Sequence, residues 1–321
     1  MPVIIPKDLP AAETLQKEFI QVMHEERART QDIRPLHIGL LNLMPKKIVT
    51  ETQFLRLIGN TPLQVDVDLI MPSNHKSKNT PQDHLLKFYH PFNEVKNRRY
   101  DGFIVTGAPV EMLDFEDVDY WEELCEVFDF CNTNVYSSFF ICWASQAAFY
   151  YYYGIPKHIL PEKLFGVFDH RLIRNRDITQ GFDDVFYCPH SRHTENRAAD
   201  IVACSDLKVL AQSDEAGPLL TTTIDQRHYF SSGHIEYDPL TLAEEYERDV
   251  KKGLDNVPFP KDYFPGNDPN LAPMVRWRGH ANLLFSNWLN HIVYPGTPYD
   301  LSTLMPRCSE QKNGSEQNAR G

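Results

Sequence analysis

Two short strings carry the residue types that can do chemistry. They are Phe139-Phe140-Ile141-Cys142-Trp143-Ala144-Ser145-Gln146 and Tyr229-Phe230-Ser231-Ser232-Gly233-His234-Ile235-Glu236-Tyr237. In the first, an apolar run ends at a cysteine and a helical pattern starts at once. That is the pattern of a nucleophile elbow. The sharp turn lifts one side chain out of the sheet, and the helix start offers free backbone N–H groups and a positive dipole end. Those N–H groups can hold an oxyanion, and the dipole favours a thiolate. A buried structural cysteine is the competing reading, and position alone does not choose between them. In the second string, an apolar strand ends at Gly233 and His-x-Glu follows. In an extended segment, residues two apart point to the same side, so the imidazole and the carboxylate would share a face. The carboxylate then fixes the ring tautomer while the other nitrogen takes a proton from a thiol. Alone, His-x-Glu is a weak motif, better read as a solvent-facing pair. With the cysteine elbow upstream, Cys142, His234 and Glu236 become a candidate triad.

Other positions are candidates for binding. Asn42 to Lys47 lies past the end of the first strand expected in the sheet, where open α/β sheets place ligands. Lys47 there either supports an oxyanion or is simply solvated. Glu111 closes the loop Thr106 to Glu111 after a later strand, as a pocket wall or a surface acid. Lys163 precedes the apolar run Leu164 to Phe168. Ser191 sits in the polar string His190 to Glu195, which otherwise reads as an imperfect helix cap. Arg248 either pairs a substrate carboxylate or forms a helix-surface ion pair with Glu244 or Glu245.

The elements that must position these residues follow from periodicity. Residues 11–29 read as a helix, and Leu36 to Pro45 as a buried strand. Thr50 to Leu57 reads as a helix stopped at Gly59. Val65 to Met71, Tyr100 to Val105 and Val135 to Ile141 read as strands. Val118 to Asn132 reads as a helix, and another follows Cys142 and closes at Gly154. This alternation predicts a mostly parallel open sheet flanked by helices. Further on, Asp184 to Cys188, Lys208 to Ala211, Leu219 to Ile224 and His228 to Ser232 read as strands. Pro239 to Lys252 and Ala281 to Ile292 read as helices. Pro258 to Pro273, rich in proline, reads as an ordered irregular surface segment. Residues 1–300 are expected to form one domain with an N-terminal helical extension. Residues 301–321, breaker-rich from Pro306, are expected to be a disordered tail.

Composition narrows the class. The 321 residues are 42% hydrophobic and 24% charged, enough for a large core without disulfide or metal staples. Lys plus Arg number 32 against 44 Asp plus Glu, a net charge of −12. That excludes non-specific binding to nucleic acid or an anionic membrane. The six cysteines form no CxxC pair and no metal-type spacing, which points to a reducing cytoplasm and no metal. No signal peptide is visible at the N-terminus. Asn134 to Pro156 carries no charge and is long enough to suggest a membrane span. Its serines, Gln146 and the tyrosines Tyr150 to Tyr153 make it a buried strand running into a buried helix instead.

The strings NLMPKK, HKSKNT (75–80), TGAPVE, ICWxxQAA, LPEKLFGVF, SRHTE, GHxEYD and YFPGNDP occur in this order. Together they resemble the homoserine O-acyltransferases of methionine biosynthesis, from residue 1 to about residue 300. The resemblance implies a class I glutamine-amidotransferase-like (flavodoxin-like) α/β fold. It implies an acyltransferase that moves an acyl group from acyl-CoA to the homoserine hydroxyl. No bound cofactor is implied; acetyl-CoA is the co-substrate, L-homoserine the acceptor, and a homodimer the expected assembly. On the matching positions, Cys142 is the acyl-thioester nucleophile, His234 the proton acceptor and Glu236 its partner. Lys47 and the Trp143 backbone lie near the oxyanion, and Lys163, Ser191 and Arg248 contact the amino acid. Glu111 falls where the family discriminates acyl donors, with Glu going with acetyl-CoA and Gly with succinyl-CoA. A carboxylate there repels succinyl's distal carboxylate and fills its space. This chain has Ala144-Ser145 where the family has Gly-Ala, and Ile235 where it has Pro. A succinyl donor, serine as acceptor, and an amidotransferase-like hydrolase are the alternative activities.

Overall fold

The computed structural model describes residues 3–6, 8–18, 22–24, 34–74, 79–253 and 257–307. Its strands are β1 (Val3–Ile5), β2 (Val22–His24), β3 (Leu36–Leu41), β4 (Val65–Met71), β5 (Tyr89–Pro91) and β6 (Tyr100–Val105). They continue with β7 (Val135–Ile141), β8 (His158–Leu172), β9 (Val185–Glu195), β10 (Leu207–Ser213), β11 (Gly217–Thr223) and β12 (His228–Ser231). All twelve belong to one sheet in the order β2-β1-β4-β3-β6-β7-β12-β11-β10-β8-β9, with β5 beside the far end of β4. From β2 to β12 every neighbouring pair is parallel; from β12 to β9 every pair is antiparallel. The mostly parallel sheet is therefore extended on one side by a five-strand antiparallel run that shares β12.

The parallel strands are buried on both faces, which explains why they read as near-continuous apolar runs. Alternate residues feed opposite cores. Ile104, Phe139 and Ile141 pack with Phe54, Phe285 and Trp288 on one face. Phe103, Val105 and Phe140 pack with Phe128, Phe130 and Phe149 on the other. In β7 the buried Ser137 Oγ accepts the Trp288 indole N–H at 2.9 Å. The uncharged stretch is indeed a strand and an eleven-residue helix, Trp143–Tyr153, ending at Gly154 in the left-handed conformation. No helix among the described residues is long and apolar enough to cross a membrane.

Several elements differ from the sequence reading. Of the helix expected over 11–29, the described part is Pro10–Lys17; residues 19–21 lie outside the described residues. Val22–His24 instead pairs in parallel with β1, so sheet pairing overrides a helical pattern there. Residues 25–29 lie outside the described residues, as do His75 to Lys78 of the HKSKNT string. The longest strand, β8, was not anticipated at all. It holds Pro161 and Gly166, its first half is largely exposed, and its pairing shifts register between Ile159 and Leu164, so no clean alternation survives. The string His190 to Glu195 is the second half of β9, not a helix cap. Residues 301–307, expected in a disordered tail, pack back onto the domain. Leu304 is buried, Arg307 N–H donates to the Asn132 carbonyl at 2.7 Å, and its guanidinium pairs Asp225 at 2.7 Å. The remainder of the tail lies outside the described residues.

Candidate active site

Cys142 joins the end of β7 to the helix Trp143–Tyr153. Its backbone is held at φ 50° and ψ −114°, a conformation L-residues rarely adopt. Such strain persists only where the surroundings impose it, and it concentrates at functional sites. Here the imposition is visible. The Cys142 N–H donates to Ser231 O of β12 at 2.6 Å, while its carbonyl accepts from Ser145 and Gln146 N–H at 3.0 and 3.2 Å. Strand pairing thus holds one side of the residue and the helix holds the other. The N–H groups of Trp143 and Ala144, in the first helical turn, have no intrahelical acceptors. The Trp143 indole is fully buried beside Tyr120 and Phe115.

His234 follows β12, and its ring lies beside the Cys142 side chain. Its Nδ1 lies 2.7 Å from Glu236 Oε1, and both side chains are buried. The expected pair therefore meets, but not through an extended segment. Residues 234–237 form a turn closed by Tyr237 N–H to His234 O at 3.2 Å, and the Tyr237 ring stacks on the imidazole at 4.3 Å. Burial alone would lower the imidazole's proton affinity. The charges of Cys142 and Glu236 outweigh burial and hold His234 well above its ordinary value. Gly107, at the end of β6, leaves room for this pair. A Cβ on it would sit 3.3 Å from both Cys142 Cβ and His234 Cε1.

The peripheral residues arrive from other elements. Glu111 accepts the His193 backbone N–H and feels the charges of Lys163, His234 and Arg192; burial raises its carboxyl above the usual range. Lys163 of β8 lies 3.2 Å from Asp249 and over the Phe165 ring. Arg248 also binds Asp249, at 2.7 Å, rather than Glu244 or Glu245. Glu244 instead pairs Lys46. Ser191 Oγ donates to Glu245 at 2.6 Å, and Tyr237 Oη donates to its other oxygen at 3.0 Å. Lys47 is buried, with its ammonium on the backbone carbonyls of Asn42 and Met44. Its visible role is to brace the loop after β3, not to touch Cys142. The sequence reading gave no site role to Asp249, Glu245 or Tyr237. The first two lie one turn apart on the helix face that also buries Leu242, and an acid in an apolar stripe was the available signal. No cluster of metal-binding side chains is present among the described residues.

A cysteine at a strand-to-helix elbow, with His and Glu behind it on a mostly parallel sheet, defines the class I glutamine-amidotransferase-like architecture. Solved structures agree on the fold: a glutamine amidotransferase from Thermotoga maritima aligns with TM-score 0.52 at 12% identity, covering 81% of this chain and 99% of that one. The protein SMU.1228c aligns at TM-score 0.54 and 14% identity over 80% and 99%. The family model for homoserine O-succinyltransferase matches residues 2–299, and the chain belongs to that family. Among curated relatives, a homoserine O-acetyltransferase from Acetivibrio thermocellus is 57% identical over 95% of this chain and 100% of its own length. Another, from Clostridium acetobutylicum, is 58% identical over 94% and 100%.

Proposed function

We propose that this acyltransferase is a homoserine O-acetyltransferase that works through a thioester on Cys142. The observation that carries the reading is the continuous chain Cys142–His234–Glu236 at a helix N-terminus. The Cys142 thiolate attacks the carbonyl carbon of acetyl-CoA. The N–H groups of the first helical turn hold the tetrahedral oxyanion. The C–S bond to CoA breaks, with His234 supplying the proton to the departing thiolate. L-Homoserine then enters, its hydroxyl loses a proton to His234, its oxygen attacks the thioester carbon, and the acyl C–S bond to Cys142 breaks, releasing O-acetylhomoserine and the cysteine thiolate. Glu236 steadies the imidazolium at both stages. In this reading Arg248 and Lys163 bind the amino acid's carboxylate, and Ser191 with Glu245 its ammonium. The buried aromatic helix behind Cys142 keeps water from the thioester. Because the mechanism needs a free thiol, a reducing cytoplasm fits the reading.

Glu111 sets the donor. A second carboxylate beside it would face a half-buried like charge, worth roughly 1–3 kcal/mol and about 10–100-fold in rate. The test is a grid of acetyl-CoA and succinyl-CoA against homoserine and serine. Acetyl-CoA with homoserine should lead in kcat/KM, and Glu111→Gly should narrow the gap between donors. Preference for succinyl-CoA or for serine in the wild type, or ammonia released from glutamine, would overturn the assignment.

A further inference from the structure

Arg192 is a buried guanidinium, 2% exposed, on the same β9 face as His190 and Thr194. Among the described residues it forms no ion pair. Its donors meet the carbonyls of Thr194 and Ala216 at 2.8 and 2.6 Å, and His190 Nδ1 at 3.5 Å. The neighbouring histidines add no second positive charge: burial pushes His170 down to about 4 and His190 well below its ordinary value, so both imidazoles are neutral. A buried cation without a counter-ion is costly, so its compensation must come from the site it faces.

The same strand face touches both catalytic elements. Thr194 Oγ1 donates to Gln146 Oε1 at 2.8 Å, and Gln146 Nε2 donates back to Thr194 O at 3.0 Å. Gln146 belongs to the helix that Cys142 opens. On the other side, His234 N–H donates to Pro189 O at 2.8 Å. A Cβ on Gly233 would come within 2.9 Å of His190 Nε2, so the turn bearing His234 lies directly on this strand. Arg192 stands between these two attachments. Burial works against its charge, and Cys142, Glu195 and Glu111 are the groups that favour it.

We propose that Arg192 is a positioning residue that gives the Cys142 thiolate a buried counter-charge and ties the cysteine's helix to the histidine's turn. The inference rests on Cys142 acting as a thiolate. The other groups facing that sulfur are His234 and Tyr237 from the turn after β12 and Cys188 from β9. Glu111 reaches the same region from the loop after β6.

Iodoacetamide alkylation of Cys142, followed against pH in the substrate-free protein, tests it. Arg192→Met should raise the midpoint by about one pH unit, so that alkylation below it slows about tenfold. Arg192→Lys keeps the charge but not the planar fork. Its midpoint should stay within about 0.3 unit of wild type, while kcat falls roughly tenfold. A folded Met variant whose profile superimposes on wild type overturns the proposal. If the Met variant does not fold, the Lys variant decides: a retained midpoint with reduced kcat supports the proposal, and a shift of a full unit refutes it. The alkylation profile needs neither acyl donor nor acceptor, so that readout stands apart from the substrate assignment.

Discussion

Lys47 shows how burial, at the scale of one residue, writes a pH dependence into the protein. Desolvation pushes its ammonium down to about 8, only partly opposed by Glu51. Below that pH, folded and unfolded chains both hold the proton, and the native state bears the full cost of a buried charge. Between about pH 8 and the unfolded value near 10.4, the unfolded chain binds more protons, so stability rises with pH. Relative to Lys47→Met, the wild type should gain about 2 kcal/mol between roughly pH 7.5 and 9.5 in urea titrations. A gap that stays constant would contradict the burial of a charged ammonium. The triad itself was legible because its residue types are rare next to strand ends and occur in the right order. Arg192, Glu245 and Asp249 were not, because their significance lies in partners from distant strands and helices. Arg192 reads as an ordinary basic residue until β9 is seen to bury every even-numbered position from Phe186 to Thr194.

At the scale of elements, the elbow is the costly feature. A non-glycine residue in the Cys142 conformation carries about 1–3 kcal/mol of strain, which a glycine would not. Cys142→Gly should therefore be more stable than Cys142→Ala by about 1 kcal/mol in thermal or urea unfolding, even though glycine ordinarily destabilises. A more stable alanine variant would show that the turn is not strained. The strand and helix on either side of the elbow were readable, since both are buried and keep their own period. The β8–β9 pairing was not. Its register shift, Pro161 and the bridge from Gly166 to Lys261 erase the two-residue rhythm, and β8 is half solvent-facing. That pairing nevertheless carries Lys163 and Ser191 to the site.

Across the whole molecule, the parallel half and the antiparallel half divide the work. The parallel half supplies Cys142, the proposed nucleophile, and the loops after β3 and β6, which flank the point where the chain switches direction in the sheet. The antiparallel half supplies β9 and, through the turn after β12, His234 and Glu236. Hydrophobic runs announced the first half and segments of β9 to β12; β8 and the antiparallel pairing of the second half appear only in three dimensions. The account therefore requires both halves to cooperate in one covalent step. Mixing the protein with acetyl-CoA in the absence of any acceptor, followed by intact and peptide mass spectrometry, examines that step directly. The prediction is one acetyl group per chain, located on Cys142, released on adding homoserine and absent in Cys142→Ala. A wild-type protein that turns over both substrates yet never carries acetyl on Cys142, or a Cys142→Ala variant with full activity, would contradict it.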